Sequence, residues 1–181
     1  MHLRKLHVVN FRALQDIEVK FDAPVTVIIG PNAAGKTTIL EAIRLAKGLL
    51  APRSQNEATQ VLHSLGITSP HMPQQIFPAA ITTKPERQTS IKCTYAIDDI
   101  ELARIKALLP QMTSNLALQS AGLAFAAPAQ AVAFLSSASG TAALAQAQNS
   151  LNEALGDIEK SREVKLHLAI KGSYGELRGE F

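Results

Sequence analysis

A short glycine-rich segment carries the residues whose types and spacing could do chemistry. It reads GPNAAGKT, from Gly30 to Thr37, and it matches the pattern G-x-x-x-x-G-K-[ST]. In this pattern the glycine before the lysine lets the backbone curl, so that successive N–H groups point at phosphate oxygens. The lysine, here Lys36, can reach the outer phosphates of a nucleoside triphosphate and stabilise charge during phosphoryl transfer. The segment therefore predicts a nucleotide-binding loop.

The pattern is typical of a loop that binds the phosphates of ATP or GTP together with Mg²⁺. The Thr37 hydroxyl is the candidate metal ligand, Thr38 can bond an α-phosphate oxygen, and Lys36 is the candidate catalytic residue. The positive end of the dipole of a following helix would add to phosphate binding. Within the loop, the residues predicted to bind the nucleotide are Gly30, Pro31, Asn32, Ala33, Ala34, Gly35, Lys36, Thr37 and Thr38.

The elements around the loop have the order that such a site needs. Val25–Ile29 is almost continuously β-branched, which is typical of a strand buried on both faces. Lys36–Leu50 has the apolar spacing of an amphipathic helix that stops near Pro52. Leu3–Phe11 and Asp16–Phe21 alternate apolar and polar residues and predict two half-exposed strands.

The rest of the chain alternates polar loops with weaker patterns. Cys93 falls on the apolar side of an alternating run, which indicates a buried structural thiol. A single cysteine excludes an internal disulfide, and the five histidines show no metal-ligand spacing. The further elements that we predict are a short helix at Glu57–Leu65, a strand pair at Ile76–Thr83 and Thr89–Ile97, a helix Ile100–Leu109 ended by Pro110, a strand Glu163–Lys171 and a turn at Gly172–Gly175.

The segment 107–152 contains no Asp, Glu, Lys or Arg and is rich in alanine. We expect two or three helices, broken at Gly122, Pro128 and Gly140. A membrane span is not favoured, because the segment is interrupted by polar residues and proline. The small side chains favour close packing, either against a second copy or a missing half of the protein, or within an ordinary helical subdomain.

The N-terminal segment resembles that of the ABC-type ATPases that act on DNA: RecF, the structural-maintenance-of-chromosomes proteins and the overcoming-lysogenization-defect (OLD) nucleases. The residues that carry the resemblance are Asn10-Phe11-Arg12, Asp16–Phe21, Gly30–Thr38 and Glu41. The resemblance implies an α/β fold: a P-loop NTPase lobe with a mixed sheet, antiparallel in its N-terminal part, and an alanine-rich helical insertion. It also implies that the nucleotide is ATP and that Arg12 lies near it, supporting the phosphates or a DNA contact; an ordinary surface arginine is the alternative.

Other parts of such an ATPase are hard to find. The segment Thr94–Asp99 is the nearest candidate for a Walker B strand, but its polar face favours a helix cap at Asp98 or Asp99. Leu135–Gly140 lacks the paired glycines of a signature motif, and Gln74 and Gln75 are favoured as loop residues over a magnesium-sensing glutamine. We therefore expect a fragment, divided into an ATPase lobe at 1–106, a helical insertion at 107–156 and a returning strand and turn at 157–181.

These observations favour the ATP-binding half of an ABC-type ATPase that dimerises on ATP and serves DNA repair, DNA processing or defence against phage. We expect a cytoplasmic homo-oligomer that meets DNA through the full-length protein or its partners; the net charge of +3 permits this but does not require it. Whether the chain hydrolyses ATP stays open. The alternatives are a free-standing nucleotide kinase or GTPase-like enzyme, and a non-hydrolysing assembly module.

Overall fold

The computed structural model describes residues 2–23, 25–54, 56–72, 75–123, 127–171 and 176–180. The chain divides into two compact units. One unit, the sheet unit, comprises His2–Ala96 and Val164–Phe181, and the other, the helical unit, comprises Ile97–Glu163. The predicted turn at Gly172–Gly175 lies outside the described residues.

A five-stranded sheet with the strand order β2-β1-β3-β4-β5 organises the sheet unit. β1 pairs antiparallel with β2 and with β3, and β4 pairs antiparallel with β5. The alternating patterns at both ends of the chain are therefore confirmed as strands. The strands are β1 (His2–Phe11), β2 (Leu14–Lys20), β3 (Thr89–Ala96), β4 (Glu163–Lys171) and β5 (Glu176–Glu180).

Three helices belong to the same unit: α1 (Lys36–Leu50), α2 (Glu57–Ser64) and α3 (Pro78–Ile81). The predictions of α1 and α2 are confirmed. The core is built from the apolar sides of the strands together with the buried residues of α1 and α2. Cys93 is fully buried there, as its place in the alternation predicts. The buried residues that the sheet and these two helices contribute to this core include Leu6, Val8, Ile39, Ala42, Leu45, Val61, Ile91, Cys93, Leu166 and Leu168.

Two predicted strands of this unit are wrong. Val25–Ile29 joins no strand of the sheet, and Val25, Val27 and Ile29 are 77%, 73% and 89% exposed. A strand needs a hydrogen-bonding neighbour, and no neighbour pairs with this segment in the part of the chain that is described. Within Ile76–Thr83, the proline at position 78 begins the short helix α3, because its fixed φ suits the first turn of a helix.

The helical unit contains α4 (Asp99–Ser120), α5 (Pro128–Leu135) and α6 (Ala138–Ser161). Asp99 pairs with Arg162 at 2.8 Å, so the start of α4 lies beside the end of α6. Lys106 pairs with Glu159 at 2.5 Å further along the two helices. These contacts define an antiparallel helix pair, with the small residues Ala117 and Ala147 buried.

Two of the helix boundaries predicted in this unit are wrong. α4 does not end at Pro110 but continues through it, since packing along α6 outweighs the lost backbone hydrogen bond. The break expected at Gly140 falls at Ser136 and Ser137, and Gly140 lies in the first turn of α6. The breaks expected at Gly122 and Pro128 are confirmed, because α4 ends at Ser120 and Pro128 begins α5.

Candidate phosphate-binding site

The loop between Gly30 and Gly35 has the backbone of an anion-binding turn. Ala33 and Gly35 both lie in the left-handed region, with φ of 65° and 85°. Alternation of right- and left-handed residues turns successive N–H groups to one side, where they form a concave site for an anion. Gly35 is the N-cap of α1, and a side chain there would meet Leu14, whose Cδ2 lies 2.7 Å from the position of a Cβ. Both the conformation and the close contact explain the glycine.

The N-terminus of α1 is open toward a ligand. Within the described part of the chain no side chain caps it, and its first turn contains no acidic residue. By contrast, α4 is capped by Asp98 and α6 by Ser137, each of which accepts a hydrogen bond from a backbone N–H. The first N–H groups of a helix need an acceptor, and an anion such as phosphate supplies it together with favourable interaction with the dipole. The start of α1 therefore fits a phosphate group.

Lys36 lies over this loop. Its Nζ donates to the carbonyl oxygens of Gly30 and Pro31, at 2.7 and 2.6 Å. The ammonium group is thereby held at the same turn as the N–H groups, and Thr37 beside it is exposed. All nine loop residues that the sequence predicts for nucleotide binding lie together here, and the role of each in binding stays a prediction.

Arg12 lies at the end of β1, and its guanidinium is bonded to protein oxygens. Its Nη1 donates to the carboxylate of Glu41 on α1, Nη2 donates to the carbonyl of Leu65 at 2.6 Å, and Nε to the carbonyl of Ala80 at 3.1 Å. The ring of Phe11 lies 5.6 Å from the guanidinium carbon. Arg12 is thus connected to α1 through Glu41; the phosphate or DNA contact expected for it stays a prediction.

Asn10 has an organising role that the sequence reasoning missed. Its amide nitrogen donates to the carbonyls of Lys84 and Arg87, at 3.1 and 2.8 Å, and its Oδ1 accepts from the Thr82 hydroxyl at 2.7 Å. The Thr89 hydroxyl donates to the Asn10 carbonyl at 2.7 Å. Asn10 therefore fixes the loop that leads into β3. The signal available in the sequence was an asparagine at the end of a predicted strand, because asparagine tolerates the left-handed conformation that it has in the structure, with φ of 53°.

The candidates for the other ATPase motifs have structural roles. Asp98 is the N-cap of α4 in a capping box with Glu101, which confirms the prediction of a cap. Within Leu135–Gly140, Ser137 caps α6 by accepting from the Gly140 N–H at 3.1 Å. Gln75 is an exposed loop residue, and Gln74 lies outside the described residues. Over the described ranges, no group of three or more His, Cys, Asp or Glu side chains is placed to hold a metal ion.

Known proteins with similar sequences include DNA replication and repair proteins and a nuclease, as the resemblance predicts. Residues 5–165 match the family model described as AAA domain. The DNA replication and repair protein RecF of Synechococcus sp. is 46% identical over 57 residues, which are 32% of this chain and 15% of that protein. RecF of Trichodesmium erythraeum is 38% identical over 64 residues, 35% of this chain and 16% of that protein. The OLD nuclease of Thermus scotoductus is 54% identical over 50 residues, 28% of this chain and 9% of the nuclease.

The chain belongs to the AAA domain family. The resemblance of its sequence to the ABC-type, DNA-associated ATPases is confirmed by this match and by the RecF and OLD nuclease relatives. The matched residues make up 16% or less of each of these three relatives. Among the helices of the described residues, none is both long enough and apolar enough to cross a membrane.

Proposed function

We propose that this chain is the ATP-binding lobe of an ABC-type ATPase that serves DNA repair or DNA processing. The observation that carries the proposal is the uncapped N-terminus of α1, which directly follows the left-handed turn at Ala33 and Gly35 and has the Lys36 ammonium beside it. An N-terminus of this kind binds phosphate. The family match across most of the chain supports the same assignment.

The loop residues divide the binding of ATP among themselves. The N–H groups at the start of α1 would donate hydrogen bonds to phosphate oxygens, and the Lys36 ammonium would donate to phosphate oxygens in place of the carbonyls of Gly30 and Pro31. Thr37 would hold Mg²⁺ through its hydroxyl, and Thr38 would bond an inner phosphate. When bound, ATP and Mg²⁺ supply the charged groups that bring two ATPase heads together.

A second observation supports an incomplete ATPase rather than a free-standing enzyme. Val25, Val27 and Ile29 lie at alternate positions just before the loop, and all three are highly exposed. The three side chains expose apolar surface to water, and leaving such a surface unburied costs free energy. We infer that further strands, from the remainder of a longer protein, pair with this segment and bring the groups that hydrolysis needs.

The biological role that we propose is drawn from the names of the relatives. RecF is named for DNA replication and repair and OLD is named a nuclease, so we propose DNA as the partner of the whole assembly. Dimerisation on ATP, a role in defence against phage and a cytoplasmic location belong to the same proposal. The kinase or GTPase alternative needs Asp98 as a Walker B residue, and its use as a helix cap speaks against it.

Calorimetric titration of the chain with ATP and with GTP, in the presence of Mg²⁺, tests this function. We expect ATP to bind, Lys36→Ala to abolish binding, and turnover to be negligible. Light scattering on the same samples measures whether ATP increases the mass. Rapid turnover by a monomer would refute the half-ATPase and favour the free-standing enzyme. ATP binding without turnover in any longer form of the protein would favour the assembly module.

A further inference from the structure

The turn between β1 and β2 contacts α1 at two places. Leu14, which is buried, lies against the N-cap of α1, where its Cδ2 is 2.7 Å from the position of a Cβ on Gly35. Arg12, two residues earlier, donates from Nη1 to Glu41 in the second turn of α1. The short segment from Arg12 to Leu14 therefore contacts both the N-cap of α1 and a residue six positions further along the helix.

Arg12 is itself held from several sides. Its backbone N–H donates to the carbonyl of Ile81 at 2.6 Å, and its side chain donates to Leu65 and Ala80 as well as to Glu41. Its φ of 50° lies in the left-handed region, which is unfavourable for a non-glycine residue. Such a conformation persists only where the surroundings determine it, and here three separate elements do so.

We propose that Arg12 and Glu41 are positioning residues for the phosphate site. Glu41 lies four residues after Thr37, so both side chains project from the same face of α1. By fixing Glu41, Arg12 sets the rotation of α1 about its axis, and with it the position of the first N–H groups around that axis and the direction of the Thr37 hydroxyl. This role rests on the proposed ATP binding, and it places the guanidinium of Arg12 at Glu41, one turn along α1 from Thr37, instead of at the phosphates.

The same helix offers a matched control. Lys47, six residues beyond Glu41, forms an ion pair with Glu57 at the start of α2. The two ion pairs have similar exposure, with side chains 26% and 25% exposed for Arg12 and Glu41, and 31% and 23% for Lys47 and Glu57. The Lys47 pair joins α1 to α2, where the Glu57 carboxylate also accepts from the Arg53 N–H, and the described contacts of this pair do not include the β1–β2 turn. A purely structural ion pair and a positioning one can thus be compared on one helix.

The experiment compares Glu41→Ala with Lys47→Ala in the full chain. Alanine suits a helix interior, so both variants keep α1. We expect Glu41→Ala to weaken ATP binding about tenfold, a coupling of ordinary size between neighbouring sites. Lys47→Ala should bind ATP as the wild type does. Without any nucleotide, the backbone amide resonances of Gly35 and Lys36 should shift in Glu41→Ala and stay in place in Lys47→Ala.

Three results would overturn the inference. If wild type binds ATP and the two variants bind it equally well, with equal losses of melting temperature, the Arg12–Glu41 pair is structural only. If wild type and Lys36→Ala both fail to bind ATP, the proposed function fails and this role fails with it. Should Glu41→Ala not fold, Arg12→Lys replaces it, because lysine keeps the charge but cannot donate along the three directions that Arg12 uses; wild-type ATP affinity in that variant would equally refute the role.

Discussion

Replacing Gly35 by alanine should destabilise the sheet unit and weaken ATP binding. Gly35 has φ of 85°, where an L-residue loses about 1–2 kcal/mol. The new methyl group would also lie 2.7 Å from Leu14 Cδ2, so that the leucine must rotate away. Alanine returns about 0.4–1 kcal/mol by restricting the unfolded chain. The net loss is about 1 kcal/mol, or about 2–4 °C in melting temperature for a chain of this size.

Gly30→Ala is the control for this prediction. Gly30 has no positive φ, and a Cβ there would lie 3.6 Å from that of Ala34, an ordinary contact. This variant should melt at or slightly above the wild-type temperature, because only the effect on the unfolded chain remains. Circular dichroism melting of both variants gives the comparison of stability, and ATP titration of Gly35→Ala against the wild type measures the effect on binding. A Gly35→Ala protein that is as stable as Gly30→Ala would refute the argument from the left-handed conformation.

The remaining predictions concern elements away from the loop. Gly140→Ala should destabilise the helical unit by about 1–3 kcal/mol, because the new Cβ would lie 1.9 Å from the Phe134 carbonyl oxygen. Gly156→Ala on the same helix should stabilise the unit by about 0.5–1 kcal/mol, because a Cβ there has no neighbour within 4 Å. Equal melting temperatures of the two variants would contradict this prediction. Asp98→Ala removes a capping box and should cost about 1 kcal/mol in urea unfolding, and no loss would mean that the cap is not needed. Burial raises the pKa of the Cys93 thiol from 9.0 to about 11. Between these two pH values the folded state keeps the thiol proton that the unfolded state loses, so the stability conferred by the buried thiol is present below pH 9 and declines between pH 9 and 11. The Cys93→Ala variant should lose less stability than the wild type over that range. An identical pH dependence of stability in the two proteins would refute the argument.

Local patterns in the sequence predicted the parts of the fold that depend on near neighbours. The bounds of α1 follow from its apolar spacing after the loop, and the alternation in β4 predicts its strand. A cap at Asp98 or Asp99 was recognisable because the acidic pair precedes a helical pattern with Glu101 in its first turn, and the structure gives the role to Asp98. In each of these places the residues that decide the structure lie within a few positions of one another.

The parts that failed depend on distant neighbours. The β-branched run Val25–Ile29 has the composition of a buried strand, but pairing and burial come from other segments, and the described chain provides none. Pro110 should end a helix on its own, yet the contact of α4 with α6 carries the helix through it. For the site, the motif predicted the loop residues, whereas the Arg12–Glu41 pair joins residues 29 positions apart and no local pattern indicates it.

The most direct test of the account is an NMR titration of the chain with ATP and Mg²⁺, following the backbone amides. The central claim is that the uncapped start of α1 receives the phosphates. We therefore predict that the largest shifts occur at Gly35, Lys36 and Thr37, while the amide of Gly140, whose N–H is already bonded to Ser137, does not move. Shifts that are absent from the loop, or that are as large at Gly140, would contradict the claim.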